Sequence, residues 1–261
     1  MIRKALYAGS FYPENKETLI GELDSYLKKP LNADFLTKPN VIICPHAGYV
    51  FSGEVAGNAY ALIRNENYKK VVVFSPSHQV SLTKIAFCSK DYYETPFNRL
   101  KVDKNDYELC KDIENVIIFD KPHILDHGIE VQLPFLSHVL KKDFLFTPII
   151  VGAVDFLSVV KVMEKLFDKD TLFVISCDLS HYLGKKEACE KDKETVKNIE
   201  NYDYFSLKED DSCGFFILKP LLYFAKQEKM KIRLLNFKNS GDISSDYKKV
   251  VGYASFALWK E

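Results

Sequence analysis

Three short apolar runs that end alike constrain this chain more than any other feature. Val41-Ile42-Ile43-Cys44 leads into Pro45-His46. Val71-Val72-Val73-Phe74 leads into Ser75-Pro76-Ser77-His78, and Phe173-Val174-Ile175-Ser176-Cys177 leads into Asp178-Leu179-Ser180-His181. Runs apolar at successive rather than alternate positions are strands covered on both faces. Such strands belong to parallel or mixed sheets, where ligands bind at the C-terminal strand ends. Each run therefore delivers ligand-capable side chains to one edge.

The rest of the chain supports this frame. Further strands are expected at 85–88, 116–119, 144–151, 232–237 and 250–258. Helices are expected at 18–28, 53–64, 106–113, 129–140, 156–167, 185–200 and 215–228, with Pro134 a kink or a late first-turn residue. Strand–helix alternation of this kind predicts a single α/β domain over 1–261, a mixed or mostly parallel sheet with helices on both faces. With 47% hydrophobic residues, 261 residues can bury a core without disulfides or a structural metal. The six cysteines form no C-x-x-C pair and read as free thiols.

Charge excludes some partners. Lys+Arg and Asp+Glu number 36 each, so no bulk attraction to nucleic acid or anionic membrane is expected. The first residues lack the apolar core of a signal peptide. The most apolar later stretch, 144–157, is interrupted by Thr147, Pro148, Gly152 and Asp155. The expectation is a soluble cytoplasmic protein. No P-loop, dinucleotide fingerprint or nucleophile elbow is present.

Any one of the strand-end histidines could be a satisfied loop residue. Three repeats of the pattern favour one site containing His46, His78 and the Asp178/His181 pair. Two imidazoles with a carboxylate or thiolate suit iron, copper, zinc or manganese and leave positions open for substrate or water. Asp178 and His181, three apart, would face the same way on a turn or helix start, one ligating while the other handles protons. His127 and Glu130 form an H-x-x-E pair after Asp126. A cleft-wall role in proton handling and a helix cap are equally open. Cys213, just before a helix, is either a low-pKa thiol or a small buried residue. Cys44 and Cys177 read as strand core, and His123 and His138 have no motif context.

The motifs PHAGYVFSG (45–53), AGSFYP (8–13), SPSH (75–78), DHGIEVQLPF (126–135), CDLSHY (177–182), SCG (212–214) and VVGYASFAL (250–258) occur in order along the chain. This set resembles the MEMO family, also called AmmeMemoRadiSam system protein B. The resemblance implies a fold like that of the LigB-type class III extradiol dioxygenases, which use non-haem iron. It implies His46 and His78 as metal ligands, Cys213 where those enzymes have a carboxylate, and His181 as acid/base, with Asp178 in the same cleft. A thiolate shifts metal preference toward softer ions such as copper. Gln79 departs from animal members, which have a further histidine there. Iron(II) or copper, with zinc possible, is the implied cofactor. Animal members bind phosphotyrosine-type peptides. Microbial members are encoded near radical-SAM and AMMECR1-like proteins, which makes both candidate partners. Three functions follow: a redox enzyme or oxygenase acting on a small molecule, a peptide-binding module with a vestigial site, or a metal-sequestering protein.

Overall fold

The three apolar runs are strands, and they lie side by side. In the computed structural model, which describes residues 1–28, 38–140 and 144–260, every position of the first and third strand is buried. The elements begin with β1 (Ile2–Arg3), α1 (Lys16–Tyr26), β2 (Val41–Cys44), α2 (Tyr49–Leu62), β3 (Lys70–Pro76), β4 (Ile85–Phe87), β5 (Tyr92–Glu94) and β6 (Arg99–Lys101). There follow α3 (Asn105–Cys110), β7 (Val116–Ile118), α4 (Asp120–Leu125), α5 (Leu133–Val139), β8 (Leu145–Val151), α6 (Phe156–Leu166) and β9 (Thr171–Ser176). The last are β10 (His181–Leu183), α7 (Lys185–Glu200), α8 (Phe215–Gln227), β11 (Lys231–Asn239), the single turn α9 (Gly241–Ser244) and β12 (Val250–Trp259).

Among the described residues the main sheet has nine strands, in the order β10-β12-β2-β9-β3-β8-β4-β7 with β11 on β12. Its centre, β2-β9-β3-β8, is parallel, and β12 and β4 join it antiparallel. In register, Cys44 lies beside Ser176 and Phe74 beside Ile175. The C-terminal ends of β2, β9 and β3 are therefore level, and the loops carrying His46, Asp178 and His78 leave the sheet together.

Alternate side chains point to opposite faces. Val41, Ile43, Val72, Phe74, Phe173 and Ile175 pack with α6, α7 and α8, whereas Ile42, Cys44, Val71, Val73, Leu172 and Val174 pack with α1, α2 and α5. The expected α/β layering is thus present. Among the described residues no helix is long and apolar enough to cross a membrane.

Three local expectations need correction. α2 begins at Tyr49 rather than at the expected residue 53, so the His46 loop runs straight into a helix. The helix expected at 129–140 is a 3-10 turn, Glu130–Gln132, running into α5, with Pro134 in the first turn of α5. A separate three-stranded sheet, β1-β5-β6, lies outside the expected pattern, as does β10. Strands of two or three residues are too short to show a periodicity of two.

Candidate metal centre

His46, His78 and Cys213 each offer a ligand atom, and these atoms all lie within 4.8 Å of one another. His46 follows β2, His78 follows β3, and Cys213 lies two residues before α8. The His46 and His78 rings meet edge to face at 4.9 Å, and Cys213 Sγ is 3.3 Å from His46 Nε2.

The hydrogen-bond network assigns the tautomer of each histidine. The Ser176 hydroxyl has one proton, which it donates to the Gly128 carbonyl at 2.6 Å. It accepts from Gln132 Nε2 at 2.9 Å, so His46 Nδ1, 3.0 Å away, must be the donor to it. His46 Nε2 is then bare and faces Cys213. Gln132 is itself fixed, donating to the Pro45 carbonyl and accepting from the Tyr60 hydroxyl. His78 Nδ1 sits 3.1 Å from both oxygens of Asp126, so Nδ1 carries a proton towards that carboxylate and Nε2 is the nitrogen left for a ligand. Asp126 also accepts from the backbone N–H of His78 and of Gly128. Gly128 admits no side chain, because a Cβ there would lie 2.1 Å from Ser75 Oγ and 3.2 Å from His46 Nδ1.

These surroundings separate the two imidazoles electrostatically. Burial drives His46 well below the ordinary histidine range, and the neighbouring His78 and His127 add to it. Burial lowers His78 too, but the Asp126 carboxylate outweighs it and leaves the group raised. Burial also raises Asp126, yet bonds from His78 and Gly128 hold it far below the usual carboxylate range. Carboxylate–histidine pairs of this kind orient ligands around metals.

The sequence leaves two readings of Cys213 open, a low-pKa thiol and a small buried residue. Burial pushes its thiol well up, and the Asp178 carboxylate reinforces the shift, overriding any lowering from the nearby helix start. The Asp178 N–H donates to Sγ at 3.2 Å. A cation in the cluster is what would convert this thiol to thiolate.

Asp178 is buried beside the cluster. Its Oδ1 accepts the His46 N–H at 2.8 Å, and Oδ2 lies 3.9 Å from His46 Nε2. Burial pushes this carboxyl up to about 7, against the His46 N–H and the charge of His78. His181 lies outside the ligand group but close enough for its charge to bear on His46. Residues 178–180 are irregular and His181 opens β10, so neither the turn nor the helix start expected for Asp178 and His181 forms.

The H-x-x-E pair divides. His127 stacks on His78 at 4.9 Å, meets His46 at 5.2 Å and packs against Phe11 at 4.6 Å. Burial holds it at about 4, and its nearest carboxylate oxygen, on Asp126, is 4.0 Å away. His78, Asp126 and His127 also satisfy a ligand-group geometry. The Asp126 oxygens are already taken by His78 and Gly128, so this group is an orienting shell with one spare imidazole. Glu130 stands elsewhere. It pairs with the buried Arg3 and accepts from Leu6 N, Tyr7 N and the Tyr12 hydroxyl. A carboxylate so saturated anchors the N-terminal segment, contrary to the proton-handling role weighed for it.

The remaining candidates fall as residues without a motif should. His123 accepts from the Tyr93 hydroxyl and donates to the Ala86 carbonyl, deep in the core. His138 meets Asp24 at the surface. Cys44 is a buried strand residue, whereas Cys177, expected in a strand, is buried just past the end of β9. Sequence reasoning missed Ser176, Gln132 and the orienting role of Asp126. A hydroxyl at the end of an otherwise apolar buried strand was the one available signal for Ser176.

Comparison with known proteins places the chain in a family. A family described as Memo-like protein matches residues 3–257. A MEMO1 family protein of Thermoplasma volcanium is 29% identical, with all of both chains covered. Those of Thermoplasma acidophilum and Saccharolobus solfataricus are 30% and 32% identical, covering 98% and 97% of this chain and 98% of each relative. With its level strand ends, its His/His/Cys cluster and a match over nearly its whole length, the chain belongs to the Memo family.

Proposed function

We propose that the protein binds a redox-active transition metal, iron(II) or copper, through His46, His78 and Cys213, and uses that centre in redox chemistry on a small molecule. One observation carries the reading: three ligand atoms converge within 4.8 Å, and the inner nitrogen of each histidine is held from behind, by Ser176 for His46 and by Asp126 for His78. Two imidazoles and one thiolate suit iron, copper or zinc and leave coordination positions for a substrate. Such a metal supplies Lewis acidity and one-electron chemistry. The chain's own residues orient and move protons. Ser176 and Asp126 set the ligand rings, and Asp178, with its carboxyl near neutrality, can hold or release a proton beside His46. His127 offers a second imidazole at the rim.

The test is metal content by mass spectrometry after anaerobic purification, beside a His46→Ala/His78→Ala double variant. Near-stoichiometric iron or copper in the parent, lost in the variant, is the expected result. Equal metal in both proteins sinks the assignment. Zinc alone in the parent sinks the redox part.

A further inference from the structure

Of the charged residues on α7, Asp192 alone is buried, with no exposed surface. Its Oδ1 accepts the Ser180 N–H at 3.0 Å, while its Oδ2 is buried with no hydrogen-bond partner. That oxygen presses on β12 at Gly252, where a Cβ would lie 2.0 Å from it. Gly252 in turn donates to the Ser180 carbonyl at 2.9 Å and accepts from the Leu179 N–H at 2.8 Å. The segment between β9 and β10 is thus gripped from two sides, by a side chain of α7 and by the backbone of β12.

The grip has something to restrain. Tyr182 follows at φ +61°, a left-handed conformation that costs a non-glycine residue roughly 1 kcal/mol and persists only where its surroundings impose it. The pairing of β10 with β12 shifts register between His181 and Leu183 at the same point. Asp178 and His181 flank the two residues that are held.

We propose that Asp192 is a positioning residue: by fixing the Ser180 backbone against Gly252, it sets where Asp178 and His181 stand beside the metal-ligand cluster. The proposal rests on those two residues serving that site. It does not require a particular metal, so it can fail separately. A buried carboxylate is a costly way to hold one N–H, since burial raises the carboxyl against the Ser180 N–H and the charge of Lys191. Leucine would fill the same space without the grip. Asparagine keeps the Oδ1 acceptor and adds a donor beside the unpartnered Ser180 hydroxyl.

The experiment compares Asp192→Leu with Asp192→Asn by NMR titration of the His181 ring and by hydrogen exchange of the peptide 178–183, with metal content measured in each. In Asp192→Leu, the His181 titration, now lowered by burial, should move at least half a unit toward the ordinary value, and exchange in 178–183 should rise at least tenfold. The His123 titration and the metal content should stay as in the parent. Asp192→Asn should match the parent throughout. An unchanged His181 titration in folded Asp192→Leu, or an asparagine variant that behaves like the leucine one, overturns the proposal. If Asp192→Leu does not fold, Asp192→Ala decides by the same criteria.

Discussion

Two buried polar networks share the stretch from α4 to α5, and they differ in how completely they are closed. In the first, Arg3, Glu130, Tyr12, Tyr93 and His123 satisfy one another and nearby carbonyls. In the second, Asp126, Ser176 and Gln132 hold the inner nitrogens of His78 and His46, while the outer nitrogen of His46 meets only the weakly bonding Cys213 thiol and the His78 and His127 rings turn to the same place. Evolution closes a network to make structure, and a network left open on one side is poised for a ligand. Their contrast also shows that motif membership does not assign a role, because Glu130 and His127 belong to one H-x-x-E pair and fall on opposite sides of it.

The largest test removes Glu130. Glu130→Ala leaves the Arg3 guanidinium buried without its carboxylate, and urea unfolding should show a loss of about 3–5 kcal/mol. Metal retained by the folded fraction should stay near the parent level. A loss under about 1 kcal/mol would mean that the first network is not structural.

The second test uses pH. Burial is the main reason His123 sits at about 4, against the partial help of the Ala86 carbonyl. A folded value below the unfolded one means that the unfolded chain takes up the proton first. The stability tied to this residue is therefore fully present above about pH 6.5 and drains away as pH falls toward 4, by up to about 3 kcal/mol. Stability curves of His123→Gln should be flatter across that window, though not flat, because His127 is shifted in the same direction. Identical slopes in variant and parent would contradict the assignment.

The next two tests act on the open network alone. Cys213→Ser removes its softest donor and should cut copper affinity at least 100-fold in a competition titration, while the urea midpoint of the metal-free protein stays close to the parent's. Should that midpoint fall as far as in Glu130→Ala, the contrast between the networks fails. Asp126→Asn keeps all three ligands but loses the carboxylate behind His78, and affinity should drop 10- to 100-fold. Unchanged affinity there would make Asp126 a loop staple and no more.

How much of this was legible depends on the range of the interactions. β2, β3 and β9 were readable because burial on both faces leaves an unbroken apolar record, and α7 spans the charged amphipathic stretch expected of it. β1, β5 and β6 leave no such record in two or three residues. His46, His78 and Cys213 could be named from strand ends and resemblance. Ser176 and Gln132 could not, since their roles arise only when β9 and the turn before α5 meet the β2 loop. The Cys213 thiol stayed open between two readings for the complementary reason: a local rule about helix starts is overridden by burial set by distant residues.

The ligand atoms also hang from parts of the chain far apart in sequence: the loop after β2, the loop after β3 and the approach to α8. An ion held there acts as a cross-link that closes two long loops, and it can form only after β2, β9 and β3 have paired. Loading should therefore follow folding rather than guide it. Free ion at a hundredfold excess over Kd then adds about 2.7 kcal/mol to the folded state. Melting temperature read against ion concentration becomes a gauge of occupancy that needs no knowledge of the substrate.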